Sequence, residues 1–97
     1  MKPVIIDAEA ENELSDSVAF YERRQPGLGL EFEFAAREAV RTIQADPGRH
    51  PLQRNGTRRL VMERFPFVIH YVDLPGTVWV LAFAHTSRKP GYWLRRL

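Results

Sequence analysis

One short segment limits what this chain can fold into more than any other. In Val78–Ala84 (VWVLAFA), Trp79, Leu81 and Phe83 alternate with Val78, Val80, Ala82 and Ala84, so a strand drawn through it is apolar on both faces. A strand with two apolar faces must lie inside a sheet, covered on both sides. The run before it behaves differently. Phe65, Phe67, Ile69 and Tyr71 share one face, and Val68, His70 and Val72 the other. Between the two runs, Asp73-Leu74-Pro75-Gly76-Thr77 supplies a Pro-Gly pair, which predicts a tight antiparallel hairpin. A third, shorter apolar run begins at Arg58.

The sheet needs a cover, and the first half of the chain provides one. Val4, Ile5 and Ile6 form a β-branched run that reads as a first strand. Asp7 follows as a helix N-cap, with Glu9, Glu11 and Glu13 where the helix dipole favours negative charge. Ala10, Leu14, Val18 and Tyr21 lie on one face of that helix, which ends near Arg24 because Gln25-Pro26-Gly27-Leu28-Gly29 does not continue it. A second helix is expected from about Leu30 to Ala45, with Phe32, Ala36, Ala39, Val40 and Ile43 as its apolar stripe. Asp46-Pro47-Gly48 stops it. Residues 46–57 carry two prolines and two glycines and read as a loop that need not be rigid. The expected fold is therefore α+β in the order β, α, α, β, β, β. The N-terminal strand joins the edge of a three-stranded antiparallel meander, and an antiparallel helix hairpin packs on one face. The other face and the C-terminal tail are expected to remain free for binding.

At 97 residues there is room for one domain spanning 1–97, and 44% hydrophobic with 27% charged residues is a globular composition. Cysteine is absent, which removes disulfides and thiolate metal sites and fits a reducing cytoplasm. No apolar run reaches the roughly 18 to 20 residues of a membrane span, and the N-terminus does not read as a signal peptide. A cytoplasmic protein without a membrane partner is expected.

Charge is divided unevenly. Residues 1–46 carry ten carboxylates against five basic side chains, a balance of −5, whereas residues 47–97 carry nine Arg or Lys against two carboxylates, a balance of +7. A basic sheet half suits nucleic acid or an acidic protein.

Several chemistries lack their residues. His50, His70 and His85 have no pairing at metal-ligand spacing, so neither a metal nor a cofactor is expected. Phosphate-cradling glycine loops and the G-x-S-x-G nucleophile elbow are missing. Glu11 and Glu13 read as solvated carboxylates at a helix start rather than a glycosidase pair. What remains is an arginine set, Arg54, Arg58, Arg59, Arg64, Arg88, Lys89, Arg95 and Arg96, interleaved with Tyr71, Tyr92 and Trp93. Guanidinium groups grip phosphate and aromatic faces stack on bases, the equipment of an RNA-handling surface. The same arginines could instead pair with the acidic half, and Trp93 could cover the end of the core.

These residues also carry a resemblance. F-Y-E at Phe20–Glu22, P-G-L-G at Pro26–Gly29, Phe32, A-V-x-x-I at Ala39–Ile43, the P-x-x-x-P loop, G-T-R-R, R-F-P-F-V-I-H-Y, W-V-L-A-F-A-H and R-K-P-G-Y-W resemble the RelE/ParE superfamily of type II toxin-antitoxin toxins, from Ala10 to Trp93. The resemblance implies a growth-inhibiting toxin neutralised by a cognate antitoxin. RelE-like members cut messenger RNA on the ribosome, and ParE-like members poison DNA gyrase. Matched to the RelE pattern, Arg59 fills one basic position, but Val61 stands at the other and Val68 at the in-strand arginine. Arg88 and Tyr92 resemble the C-terminal pair with a different placement.

Valine offers neither charge nor proton, and losing one preorganised donor typically costs about 2.7 to 4 kcal/mol of barrier lowering. The ParE-like, non-catalytic reading is therefore preferred. Its rivals are a ribosome-dependent endoribonuclease using Arg59, Arg88 and Tyr92, and a degenerate member that only binds its partner. Arg58, Arg64, Lys89, Trp93, Arg95 and Arg96 are the expected target- or antitoxin-binding residues.

Overall fold

A computed structural model describes all 97 residues. Its elements are β1 (Val4–Ile6), α1 (Ala8–Arg24), α2 (Leu28–Ala45), a 3-10 turn at Pro47–Arg49, β2 (Arg58–Val61), β3 (Phe67–Asp73), β4 (Val78–His85) and a second 3-10 turn at Leu94–Arg96. The sheet order is β1-β4-β3-β2, with β1 parallel to β4 and the other pairs antiparallel. The doubly apolar strand is thus an interior one, as its composition requires. The hairpin closes at Leu74, whose amide donates to Thr77 O (2.9 Å).

The helix hairpin lies on one face. Leu14 from α1, Phe32, Ala36 and Ile43 from α2, and Ile69, Tyr71, Val78 and Val80 from the sheet are essentially inaccessible to water. Tyr21, Phe32, Phe65 and Phe67 form an aromatic cluster, with ring centroids 4.8 to 5.2 Å apart for the pairs Phe32–Phe67, Phe32–Phe65, Tyr21–Phe32 and Tyr21–Phe65. Such contacts add to area burial by about 0.5 to 1.5 kcal/mol each. Asp7 caps α1 as expected, accepting from Glu9 N (2.9 Å).

Three expectations need correction. The second helix begins at Leu28, two residues before the expected Leu30. Glu22 explains the difference, since its carboxylate accepts from Gly27 N (2.8 Å) and Gly29 N (3.0 Å) and so caps α2 from across the turn. Gly29 lies inside this helix because a Cβ there would come within 2.4 Å of Val18 O, where the two helices cross.

The second correction concerns β4. Tyr71 pairs with Val80 and His70 with Ala82, so Leu81 is an extra residue in the ladder. This irregularity changes the alternation. Val78, Val80 and Phe83 face the helices, while Leu81, Ala82 and Ala84 belong to a second cluster with Trp93, Val72, Trp79 and Tyr92. Phe83 does not share a face with Leu81 as uninterrupted pleating would require.

The third correction follows from that second cluster. The C-terminal tail is not free but folds back over the open face of the sheet, burying Trp93 to 4% exposure. The loop at 46–57 is likewise pinned. Tyr71 Oη donates to Pro47 O (2.6 Å), Arg58 Nη1 donates to His50 O (2.5 Å), and the fully buried Thr57 donates to Asn55 Oδ1 through both its amide (3.0 Å) and its hydroxyl (2.6 Å). Loop carbonyls at Pro47 and His50 are thus satisfied by side chains of β3 and β2, and Thr57 by a local contact within the loop.

Candidate functional site

Where the tail crosses the sheet it leaves a groove of about 390 Å3. Val68, His70 and Ala84 form its floor together with Trp93, Arg59 enters from β2, and Arg88, Lys89 and Tyr92 enter from the segment after β4. Arg59 stands opposite His70 in the β2–β3 register. Gln53 and Asn55 complete the rim. None of the lining residues is Asp or Glu, so three cations share one concave surface without a counter-charge in it.

The wall of the groove is held by Glu13. Strand β4 extends beyond the end of its pairing with β1, which stops at Ile6–Val80. Further along β4, Phe83 N–H donates to Glu13 Oε1 (3.1 Å) and Leu81 O accepts from Arg96 Nη1 (2.8 Å). Arg96 and Glu13 thus serve the strand edge where β1 no longer runs. They also bind each other through two hydrogen bonds (3.0 and 2.9 Å), and Tyr92 Oη donates to Glu13 Oε2. The Arg96 and Glu13 side chains are only 5% and 14% exposed, so Glu13 is not the solvated carboxylate expected from its helix position.

These contacts determine what the groove can do chemically. Burial, reinforced by the hydrogen bond to Glu13, holds the Tyr92 phenol above its ordinary range, so it remains protonated. Arg88 lies over the Tyr92 ring, its Cζ 3.9 Å from the centroid. The His70 ring stacks on Trp93 (centroids 4.1 Å apart, planes 25° apart), and burial together with the Arg59 charge pushes its pKa down to about 4. His85 Nδ1 accepts from Ser87 N (3.0 Å), which in the neutral ring puts the proton on Nε2. The groove is rich in hydrogen-bond donors, and it contains no carboxylate.

Of the expected site residues, the structure brings Arg59, Arg88, Lys89, Tyr92 and Trp93 together in this groove. Trp93 serves as floor, with almost no surface to offer a partner. Arg96 is spent on Glu13 and Leu81 inside the fold. Arg95 is exposed and pairs with Glu9, which holds that carboxyl below its usual range. Arg64 pairs with Glu31 (2.7 Å) and lies over the Phe65 ring, and Arg58 is folded against the loop carbonyls. Val61 is 63% exposed on the edge strand, whereas Val68 lines the groove. Sequence reasoning missed Glu13, which has no local signal because its partners Tyr92 and Arg96 lie 79 and 83 residues away. It also missed Gln53 and Asn55.

No protein-family model and no curated protein matches this sequence. The fold does have a solved counterpart. A chain in the structure described as "Chromosomal ParDE TA system from P. aeruginosa" superposes with a TM-score of 0.78 at 21% identity, covering 90% of this chain and 98% of that one. The likeness is one of fold, an α+β domain with a helix hairpin against a four-stranded sheet.

Proposed function

We propose that this chain is the toxin of a type II toxin-antitoxin module, held inactive by a cognate antitoxin and inhibiting growth by binding DNA gyrase rather than by catalysis. The observation that carries the reading is the extent of the fold likeness, 98% of a chain from a ParDE system being matched by 90% of this one. The motif resemblance between Ala10 and Trp93 supports it independently.

The groove supports the non-catalytic branch. A metal-independent ribonuclease must activate a 2′-hydroxyl and stabilise a pentacovalent phosphate. Here Val68 supplies nothing, the Tyr92 phenol is committed to Glu13, and His70 is covered by Trp93. Cations for binding are present, and the other imidazole of the groove, His85, has its Nδ1 occupied by Ser87 N–H. The antitoxin is expected to be an acidic polypeptide that meets the basic sheet half, and its binding stabilises the toxin by mass action. The site of action is the cytoplasm.

One observation favours a second reading, a ribosome-dependent endoribonuclease. Arg59, Arg88 and Tyr92, the three residues that such an enzyme would use, all line one groove. Inducing the protein and assaying purified gyrase alongside the 5′ ends of ribosome-bound transcripts separates the two. Trapped gyrase–DNA cleavage complexes with intact transcripts are expected. Cleaved transcripts with unaffected gyrase would overturn the gyrase assignment, and no growth effect at all would leave only a degenerate partner-binding member. Co-expression with the adjacent gene tests the module itself, since a cognate antitoxin should restore growth and copurify.

A further inference from the structure

We propose that the groove bounded by Arg59, Arg88 and Lys89 holds the sugar-phosphate backbone of a single nucleic-acid strand without cutting it, so that the toxin on gyrase touches DNA as well as protein. The assignment to gyrase-bound DNA rests on the reading above, whereas the binding chemistry rests on the groove alone. Three exposed cations line a concave surface that contains no carboxylate, and the rim adds the amide side chains of Gln53 and Asn55. The Asn55 amide oxygen is engaged by Thr57 through both its backbone N–H (3.0 Å) and its hydroxyl (2.6 Å). Its NH2 group is then the end left for a ligand, so cations and rim alike offer donors. A phosphodiester, which has only acceptors to present, matches that set.

The floor distinguishes a nucleic acid from an acidic peptide. Protein partners draw most of their binding energy from a few large side chains, aromatic ones and arginine above all, seated in desolvated pockets. In this groove Ala84 and Trp93 are already buried at 7% and 4% exposure, Val68 and Tyr92 are half-buried, and among its apolar side chains Pro90 and Leu94 are the exposed ones. Arg88 lies over the Tyr92 ring and is itself exposed, so its guanidinium is supported on one side and open to a base on the other. Backbone contacts plus one stacking plane give binding with little sequence preference.

The test is fluorescence anisotropy of the full chain with labelled oligothymidylate, oligouridylate and polyglutamate at several salt concentrations. Both oligonucleotides should bind, with Kd rising about eighteen-fold between 50 and 200 mM salt if three phosphates are neutralised. Each of Arg59→Ala, Arg88→Ala and Lys89→Ala should weaken binding and flatten the salt dependence by about one third. Arg41→Ala, a cation on α2 paired with Glu38, serves as the control and should change neither. Thermal melts establish that the variants are folded, and Lys89→Glu gives a second, stronger perturbation at an exposed site. The proposal is overturned if neither oligonucleotide binds at low salt. It is equally overturned if the groove variants bind as the parent does, or if polyglutamate binds as tightly with the same dependence on the three cations. Oligonucleotide binding in a protein that leaves gyrase untouched would refute the gyrase reading while keeping the groove assignment.

Discussion

Glu13, near the start of the chain, and Arg96, its penultimate residue, meet in a doubly hydrogen-bonded pair that closes the edge of β4 beyond the end of β1. The pair does more than attract opposite charges. It satisfies Phe83 N–H and Leu81 O, fixes Tyr92, and so holds in place the segment that forms one wall of the groove.

Removing one partner should therefore be costly. Breaking a buried pair from one side typically loses about 3 to 5 kcal/mol, because the remaining charge stays desolvated. Arg96→Ala and Glu13→Ala are each expected to lower the unfolding free energy by about 3 kcal/mol, with the double variant well short of the sum. Urea unfolding followed through tryptophan emission measures it. Strictly additive losses would show that the two side chains act separately.

The helix crossing gives a second prediction, set by space rather than charge. Gly29→Ala places a methyl 2.4 Å from Val18 O, so the hairpin must open, at about 2 to 3 kcal/mol. Gly27→Ala meets nothing within 4 Å but must adopt a φ of 88°, a cost of about 1 to 2 kcal/mol. A thermal melt in which Gly27→Ala were the more damaging of the two would contradict the close approach of the helices.

Much of this architecture was legible from periodicity. Strands β1, β3 and β4, the hairpin turn, the Asp7 cap and both helix faces follow from side-chain spacing, because each is decided by residues within a few positions of one another. Leu81 marks the limit. A one-residue irregularity leaves an apolar run apolar, so the sequence does not reveal that Phe83 changes face. Arg59, Arg88 and Tyr92 were visible as residue types suited to phosphate, whereas the tail that brings them together is fastened by Glu13, which looks like any other acidic residue in a first helix.

Acid should weaken the fold through His70. Its folded pKa of about 4 lies below the ordinary 6.5, so between those values the unfolded chain binds more protons and stability falls as pH falls. The loss, complete near pH 4, should be roughly 1 to 2 kcal/mol once screening of a half-buried ring is allowed for. The urea midpoint measured from pH 7 to 4 should decline less steeply in His70→Gln. Parallel curves for the two proteins would mean that His70 does not titrate differently on unfolding.

Tyr92 separates the two candidate mechanisms most sharply, because its hydroxyl and its ring have different tasks. The hydroxyl donates to Glu13, while the ring supports Arg88. Tyr92→Phe removes only the first. Glu13 keeps Arg96 and Phe83 N–H as donors, so the cost to stability should be about 1 kcal/mol and the groove should keep its shape. For a toxin that acts by binding, growth inhibition by Tyr92→Phe should equal that of the parent, whereas Arg88→Ala should reduce it. A ribonuclease that relies on the phenol for proton transfer would instead lose about 100-fold or more in cleavage rate with Tyr92→Phe. Titrated induction of the parent, Tyr92→Phe and Arg88→Ala in the same host reads both outcomes. Loss of toxicity in a folded Tyr92→Phe would point back to catalysis, since that substitution leaves every cation of the groove in place.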